Sequence, residues 1–294
     1  MSTTAAVDPH RDVATKRHSR GRPRSGRTLL IGAFLFAFCT IMLSPVLWTI
    51  IAVSKPTNVA FLDPPVFTWT PTAHAFVELW QTTNFYQDLI NTVLVAVGST
   101  IAALILGIPA AYALSRYPGW ISALLLVVAL IFRALPRFSI LLPMYELSLQ
   151  LGIYDTRFAV GAALVAINQP FSIWLLRNFF AEISTSLDEA AMLDGCSRLQ
   201  ILTRVMLPLM GPGILTAGIF MFLFAFQEYL TAVILTNVDA RTVPVFIATQ
   251  LGQTLPMLQQ AGAAAVILTL PVIAFALIAQ KYMVAGLNAG SVKG

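Results

Sequence analysis

The run from residue 29 to residue 53 is the feature that most limits what this chain can fold into, because it contains 25 residues without one charged side chain. A helix rises 1.5 Å per residue, so a run of this length crosses a bilayer core about 30 Å thick. The whole chain shares this character, since 57% of its 294 residues are hydrophobic and 11% are charged. Soluble domains carry about 25% charged residues, so lipid is the expected solvent for this protein.

The apolar runs and the polar segments between them predict an all-α, polytopic membrane protein with six transmembrane helices and a cytoplasmic elbow. Residues 1–28 form a basic, irregular tail without apolar periodicity, which predicts disorder. Residues 29–294 form the membrane domain. Its predicted spans are 29–53, 89–114, 121–144, 158–180, 211–235 and 261–283.

The distribution of lysine and arginine predicts the orientation. With the N-terminus inside, 13 of these residues lie on the cytoplasmic side and three lie in outer loops. Basic loops are retained inside, so both termini and the 184–208 loop are predicted to be cytoplasmic, in a bacterial-type inner membrane. The basic tail is interpreted as an anchor for the first span rather than as a nucleic-acid-binding arm.

The 184–208 loop carries the most regular local signals in the chain. Ser186 followed by Glu189 predicts a capping box, and Gly195 suits the left-handed residue after a helix, so a short helix is expected over 187–194. Ser197 is expected to cap a second helix, whose apolar positions Ile201, Leu202, Val205 and Met206 share one face. The residues alone leave two interpretations open: a loop lying on the bilayer surface, or a docking element for a partner protein.

The spacing in this loop resembles the EAA signature of ABC importer permeases. Glu189-Ala190-Ala191 is followed after three residues by Gly195, and then after nine residues by Val205, one residue and Leu207-Pro208. Only Val205 departs from the signature, where the family has isoleucine. The flanking stretches are similar to carbohydrate-uptake permeases of the maltose type, and the likeness covers roughly 29–294. These stretches are 111–117, 140–145, 175–180 and 284–294.

The resemblance implies a permease subunit of an ATP-driven importer that carries a mono- or oligosaccharide into the cytoplasm. It implies four kinds of partner: a homologous permease subunit, an ABC ATPase dimer, an extracytoplasmic sugar-binding protein and the lipid membrane. No cofactor is expected in the chain itself, because it has no P-loop and ATP would be bound by the partner subunits. The residues implied in coupling to the ATPase are Ser186, Asp188, Glu189, Ala190, Ala191, Asp194, Gly195 and Arg198.

Polar side chains within the predicted spans are candidates for a substrate pathway. Arg133 and Arg137 are four residues apart in the third span, so they are expected to share a helix face. Charges at this depth need a counter-charge, water or protein around them. The other candidates lie on a fourth span interrupted by Pro170 and on the fifth span. They are Asn168, Gln169, Gln227, Glu228 and Tyr229.

Two roles are open for these polar groups: structural ion pairs and hydrogen bonds, or contacts to a sugar. Counting residues along the spans places Arg137 and Glu228 at a similar height, so we expect them to pair. Gln169 and Gln227 are expected to matter more for sugar. The family usually has Trp-Asn before the acidic residue, whereas this chain has Phe226-Gln227, so contacts carried over from the family are in doubt here.

The sequence offers no catalytic or metal-binding constellation. The three histidines lie far apart, in the tail and in an outer loop, and the two cysteines have no metal-binding spacing. The chain is therefore predicted to be a transporter subunit and not an enzyme. Two other classes stay open: an ion- or proton-coupled secondary transporter of a small polar solute, which the intramembrane charges permit, and a membrane scaffold.

Overall fold

The computed structural model describes residues 26–252 and 254–290, with side chains for 28–252 and 254–278, so the basic tail up to residue 25 and the motif over 284–294 lie outside the described side chains. Every regular element in these ranges is a helix. The helices are α1 Gly26–Ser54, α2 Thr57–Ala60, α3 His74–Thr82, α4 Phe85–Arg116, α5 Trp120–Ala134, α6 Arg137–Gln150, α7 Arg157–Glu182, α8 Ser186–Leu193, α9 Arg198–Gln200, α10 Leu207–Leu209, α11 Gly211–Phe226, α12 Leu230–Leu235, α13 Val243–Gln250 and α14 Leu255–Gly290. A π-helical turn, Ile201–Met206, joins α9 to α10.

The chain divides into two units, residues 1–47 and 48–294. In the first unit, the described residues belong to one apolar helix, the larger part of α1. The second unit holds the end of α1 and all later helices. The second unit contains every candidate site residue.

Helices long and apolar enough to cross a membrane confirm the all-α polytopic class. Within the described residues, α1, α4, α7 and α14 each qualify alone. Two further pairs qualify if each is one span bent at a break, which makes up to six spans. These pairs are α5 with α6, bent by 87°, and 198–209 with α11, bent by 81°.

The breaks correct the predicted third and fifth spans. The third was expected as one span over 121–144 with local irregularity at its prolines, but α5 ends at Ala134 and α6 starts at Arg137, because Pro136 has no N–H to continue the helix. The fifth was expected over 211–235, but α11 ends at Phe226 and residues 227–229 separate it from α12. The predicted interruption of the fourth span is also wrong, since α7 continues through Pro170.

The core of the second unit is built where α4 packs along α7, with α11 against both. Small residues allow these close contacts. A Cβ on Gly107 of α4 would lie 2.9 Å from Ser172 Oγ on α7, and one on Gly213 of α11 would lie 2.8 Å from Phe179 Cγ. In α14 the small residues Ala263 and Ala264 are fully buried. Small residues at such crossings are typical of membrane helix packing, where close backbone approach replaces the hydrophobic driving force.

Candidate functional site

The short helix α8 ends in the backbone turn that the sequence predicts. Gly195 has φ +82°, which a glycine adopts without steric cost. The Cys196 N–H donates to the Ala191 carbonyl and the Gly195 N–H donates to the Met192 carbonyl, each at 3.0 Å. These two bonds form a Schellman motif, which closes the helix and turns the chain toward α9.

The capping box predicted at Ser186 and Glu189 is wrong. Ser186 is the first helical residue, and Thr185 at the N-cap makes no side-chain capping bond. The Ser184 hydroxyl instead accepts from the Ser186 N–H at 3.3 Å. A complete capping box lies one helix later, as Ser197 Oγ accepts from the Gln200 N–H at 3.4 Å and Gln200 Oε1 accepts from the Ser197 N–H at 2.8 Å. The expected cap at Ser197 is therefore confirmed.

Asp188 lies inside the elbow rather than on its surface. Its side chain is 4% exposed, and its Oδ2 lies 2.8 Å from Nε of Arg116, which is 5% exposed and ends α4. The Tyr112 hydroxyl donates to Asp188 Oδ1. Arg116 Nη1 also donates to the carbonyls of Phe180 and Ile183, at 3.0 and 3.2 Å, where α7 ends. One buried ion pair thus ties α8 to both central helices.

The outward surface of the elbow combines charged and apolar side chains. Ser186, Glu189, Ala190, Asp194 and Arg198 are exposed there, as a docking surface requires, whereas Ala191 is buried. Large apolar side chains stand among them. They are Leu187, Met192, Leu193 and Leu199, and Leu193 is the most exposed at 91%.

The opposite face of the elbow packs as its periodicity predicts. Ile201, Leu202 and Met206 are buried, and Val205 packs against the cluster that they form with the inner ends of α4 and α7. The π-helical turn over these positions was not predicted. In this turn each hydrogen bond spans five residues and not four, so the helix is wider where it packs against the cluster. Single π-helical turns of this kind are frequent at functional sites.

A cavity of about 630 Å³ lies between α5, α6 and α7, and it gathers three of the substrate-pathway candidates. Arg133, Arg137 and Gln169 line it, together with a largely apolar wall. Arg133 and Arg137 were expected on one helix face, and this is wrong, because the break at Pro136 separates them onto two helices. They nevertheless converge on the cavity from its two sides.

Arg133 and Gln169 each have a defined hydrogen-bond partner on a neighbouring helix. Arg133 Nη1 donates to Asn168 Oδ1 at 3.3 Å, and its guanidinium lies over the rings of Phe171 and Phe224 at 4.9 and 5.1 Å. Gln169 Nε2 donates to the carbonyl of Ala103 at 3.3 Å. Both amides therefore bind neighbouring helices.

The expected pairing of Glu228 with Arg137 is confirmed, with 3.6 Å between Glu228 Oε2 and Arg137 Nη1. The other oxygen of Glu228 has a role that the sequence did not reveal. Its Oε1 accepts from the N–H and the hydroxyl of Thr231, both at 3.1 Å, and so caps α12 after the break. Glu228 therefore joins α6 to the bent fifth span.

Gln227 and Tyr229 lie apart from the arginine cavity. Gln227 lines a separate cavity of about 360 Å³ beside Pro244, Leu268 and other residues of α13 and α14. Tyr229 is 42% exposed in the break before α12. Gln169 and Gln227, which the sequence grouped together, therefore face two different spaces.

A second buried polar network fastens the outer loop at 236–243, and sequence reasoning missed it. Arg241 donates to both oxygens of Asp88, at 3.1 and 2.9 Å. Asn91 Nδ2 donates to the carbonyls of Asp239 and Arg241, while its Oδ1 accepts from Arg157 Nε at 2.6 Å. An amide and a carboxylate one turn apart at the outer end of an apolar span were the available signal.

Asp155 completes this network from the loop before α7. Its carboxylate accepts four backbone N–H groups, from residues 237–240, at 2.9 to 3.0 Å. Partial burial raises the pKa of this carboxyl, but the four hydrogen bonds together outweigh burial and leave the pKa below its ordinary value. The charged Asp155 carboxylate thus holds the backbone of residues 237–240 in place.

No metal site is present in the part of the chain that the structure describes, where no three His, Cys, Asp or Glu side chains come together. The candidate sites in the second unit are therefore three groups of polar side chains. They are the elbow, the cavity lined by Arg133 and Arg137, and the network around the loop at 236–243.

Comparison with known proteins gives a consistent set of relatives. The sequence model of one family, described as "Binding-protein-dependent transport system inner membrane component", matches residues 103–288. The trehalose/maltose transport system permease protein MalG of Thermococcus litoralis is 35% identical over 90% of this chain and 96% of its own length. The trehalose transport system permease protein SugB of Mycobacterium tuberculosis is 35% identical over 86% of this chain and 93% of its own.

The fold also has solved counterparts. A chain from the crystal structure of a bacterial ABC transporter involved in the import of the acidic polysaccharide alginate is 25% identical, with a TM-score of 0.72. That match covers 90% of this chain and 99% of the other.

Proposed function

This chain belongs to the family of inner membrane components of binding-protein-dependent transport systems, and we propose that it imports a saccharide as a permease subunit of an ATP-driven transporter. The observation that carries the proposal is the likeness, over nine-tenths of the chain, to a permease named for trehalose and maltose transport. It is a multi-pass membrane protein whose spans supply the path and whose partners supply the energy.

The relatives favour an ATP-driven importer over the ion-coupled secondary transporter that the intramembrane charges permit. The matched proteins are named as ABC transporter permeases or as binding-protein-dependent components. Arg137 and Glu228 also contact each other, and Glu228 caps α12, so these charges have structural partners. Their presence in the spans needs no coupled proton or ion to explain it.

The proposed assembly has a second, homologous permease beside this chain, two ATPase subunits below the elbow and an extracytoplasmic binding protein above. Support for the inner docking site comes from the elbow, which exposes Glu189, Asp194 and Leu193 while its buried side is tied to the spans. Support for the orientation comes from the excess of basic residues on the same side. Both termini are then cytoplasmic.

Transmission from the elbow follows from the buried ion pair. A force on α8 acts on Asp188, and Asp188 is held by Arg116 at the end of α4. Arg116 also holds the last carbonyls of α7. Movement of α8 on closure of an ATPase dimer would therefore displace α4 and α7 together, which is what alternating access requires of a rigid bundle.

The proposal is tested by reconstituting the complete transporter in proteoliposomes with its binding protein and a panel of labelled saccharides. We expect uptake of at least one saccharide that requires internal ATP and is unaffected by dissipating proton and sodium gradients. A matched preparation with an ATPase subunit lacking hydrolysis activity is the control. Uptake that follows an ion gradient and not ATP would disprove the proposal.

A further inference from the structure

The break between α5 and α6 is the starting point, because irregular backbone inside a membrane is tolerated only where protein buries it or a cavity adjoins it. Here a cavity of about 630 Å³ adjoins it, lined by residues from both sides of the break. This volume falls within the usual range of small-molecule sites, about 300–1,000 Å³. Because α5 and α6 meet at a bend of 87°, the end of α5 and the start of α6 both adjoin this cavity.

Positive charge exceeds negative charge around this cavity. Arg133 comes from the last turn of α5 and Arg137 is the first residue of α6. Among the described residues Arg133 forms no ion pair, and Arg137 has one carboxylate, Glu228, at 3.6 Å. Glu228 is also engaged by Thr231 through its second oxygen. Of the two arginines, only Arg137 is therefore paired with a carboxylate.

The N-terminus of α6 adds to this positive field. The helix has 14 residues, and Pro136 at its N-cap provides no side-chain capping bond. The first N–H groups of a helix carry the positive end of its dipole, and discontinuous membrane helices use such ends to hold anionic groups. The N-terminus of α6 and the guanidinium groups of Arg133 and Arg137 thus all favour an anionic ligand.

Neutral hydrogen-bonding groups line the same space. Gln169 donates through Nε2 to Ala103, while its buried Oε1 has no hydrogen-bond partner among the described residues. Ser139 adds a hydroxyl at the start of α6. A buried amide oxygen without a donor costs free energy, and rotation of the Gln169 amide toward the cavity would let a ligand hydroxyl satisfy it. The apolar wall of the cavity suits the C–H faces of a sugar ring.

We propose that this cavity is a binding site for an acidic saccharide, whose carboxylate lies between Arg133 and Arg137 and whose hydroxyls reach Gln169 and Ser139. The inference rests on the proposed function and names the substrate class of that importer. A lipid phosphate would offer a similar charge, but it brings no ring hydroxyls for Gln169 and Ser139, which line the cavity beside the two arginines.

The test measures binding and uptake of a labelled hexuronic-acid disaccharide and of its neutral counterpart by the complete transporter in phosphatidylcholine vesicles. Binding is measured without the binding protein, so that only the membrane site is sampled. Arg137→Gln is the main variant, because its side chain is 36% exposed and its loss leaves the core in place. Arg133→Gln is the second variant, and Arg204→Gln on the exposed side of the elbow is the control.

We expect Arg137→Gln and Arg133→Gln each to weaken binding of the acidic disaccharide about tenfold, as loss of a charge-assisted hydrogen bond would, with less than about twofold change for the neutral one. Glu228→Gln should act in the opposite direction and tighten binding of the acidic disaccharide, since it removes the competing carboxylate. Arg204→Gln should change neither.

Equal weakening for both disaccharides would overturn the inference, and so would native binding that does not prefer the acidic one. Loss of acidic binding when anionic phosphatidylglycerol is added, with no effect of the arginine variants on the saccharide, would assign the site to lipid and also overturn it. If the native protein imports only neutral saccharides with ATP, this inference fails while the proposed function stands. If it imports neither class with ATP, the proposed function fails as well.

Discussion

Asp188 is a single residue that was expected on the docking surface and is buried in the structure. Sequence reasoning placed it at the start of a short helix over 187–194 and grouped it with the residues implied in coupling to the ATPase. The structure keeps it at the start of that helix and turns its carboxylate inward to Arg116 and Tyr112. The periodicity of an eight-residue helix does not distinguish these two directions.

The first prediction concerns this pair. Asp188→Asn leaves Arg116 charged and buried, and breaking one side of a buried ion pair costs about 3–5 kcal/mol. We expect a lower unfolding temperature of the detergent-purified protein and loss of ATP-driven uptake. Asp194→Asn, six residues later and exposed, is the matched control for stability and should leave the unfolding temperature unchanged. Wild-type thermal stability in Asp188→Asn would show that the pair contributes nothing.

Asp155 supports the second prediction, which concerns pH. Because its folded pKa lies below the ordinary value, its contribution to stability is full above the unfolded pKa of about 3.9 and is lost as pH falls through the folded pKa. At neutral pH the Asp155→Asn variant should mimic the protonated carboxyl, while asparagine still tolerates the φ of +56°.

Hydrogen–deuterium exchange of the 237–240 amides is the measurement. In Asp155→Asn these amides should exchange at least about tenfold faster at pH 7, since one hydrogen bond to a charged acceptor contributes about 1.5–3 kcal/mol. Amides in the middle of α4 serve as the internal reference. The native protein should show the same acceleration only below about pH 4. Unchanged exchange in the variant would mean that other contacts hold this loop.

At the scale of the element, the helices follow the sequence closely where apolar runs are long. Four predicted spans appear as single helices with ends shifted by a few residues, because length and hydrophobicity alone decide whether a segment can cross lipid. The third and fifth spans are broken instead. The break at 227–229 has no proline or glycine to reveal it; Glu228 stabilises it through contacts with α6 and α12 that local sequence does not contain.

Proline was an ambiguous signal in the same way. Pro136 stands between two helices that diverge by 87°, whereas Pro170 lies inside the continuous α7. The difference is tertiary: α7 packs along α4 over its length, and this packing outweighs the loss of one backbone hydrogen bond. At the candidate site, the loop and its glycine turn could be predicted from local rules. The convergence of Arg133, Arg137 and Gln169 depended on the bend and could not.

The third prediction belongs to the crossing of α7 and α11. Gly213→Ala places a Cβ 2.8 Å from Phe179 Cγ, so the helices must separate or the ring must move, at a cost of about 1–3 kcal/mol. Gly161→Ala on α7 is the control, because nothing lies within 4 Å of its added Cβ. Thermal unfolding should show a lower midpoint for the first variant only. Equal unfolding midpoints for the two variants would show that the contact between α7 and α11 accommodates the added methyl group.

At the scale of the whole molecule, exposed apolar side chains have two explanations. Along the spans, side chains such as Ile105 and Phe132 are exposed in the isolated chain, as expected of helices that lipid surrounds. Leu193, at 91% exposed, lies outside the spans in a polar loop that carries Asp194 and Arg198. The bilayer surface and an ATPase are the two candidates for covering it, as the sequence left open.

The fourth prediction decides between them. Leu193→Ser alters nothing inside the fold, since the leucine has almost no intramolecular contact, so the melting temperature of the isolated permease should stay unchanged. If the leucine is buried against an ATPase, the variant loses about 1.5–3 kcal/mol of binding free energy, a decrease in affinity of about tenfold or more. The affinity is measured by titrating the purified ATPase onto the permease in nanodiscs. Leu251→Ser, 54% exposed in the loop after α13, is the control on the opposite side and should bind as the native chain does. Native ATPase affinity in Leu193→Ser, together with weaker association of the elbow with lipid, would instead place the elbow on the bilayer surface and remove it from the coupling path.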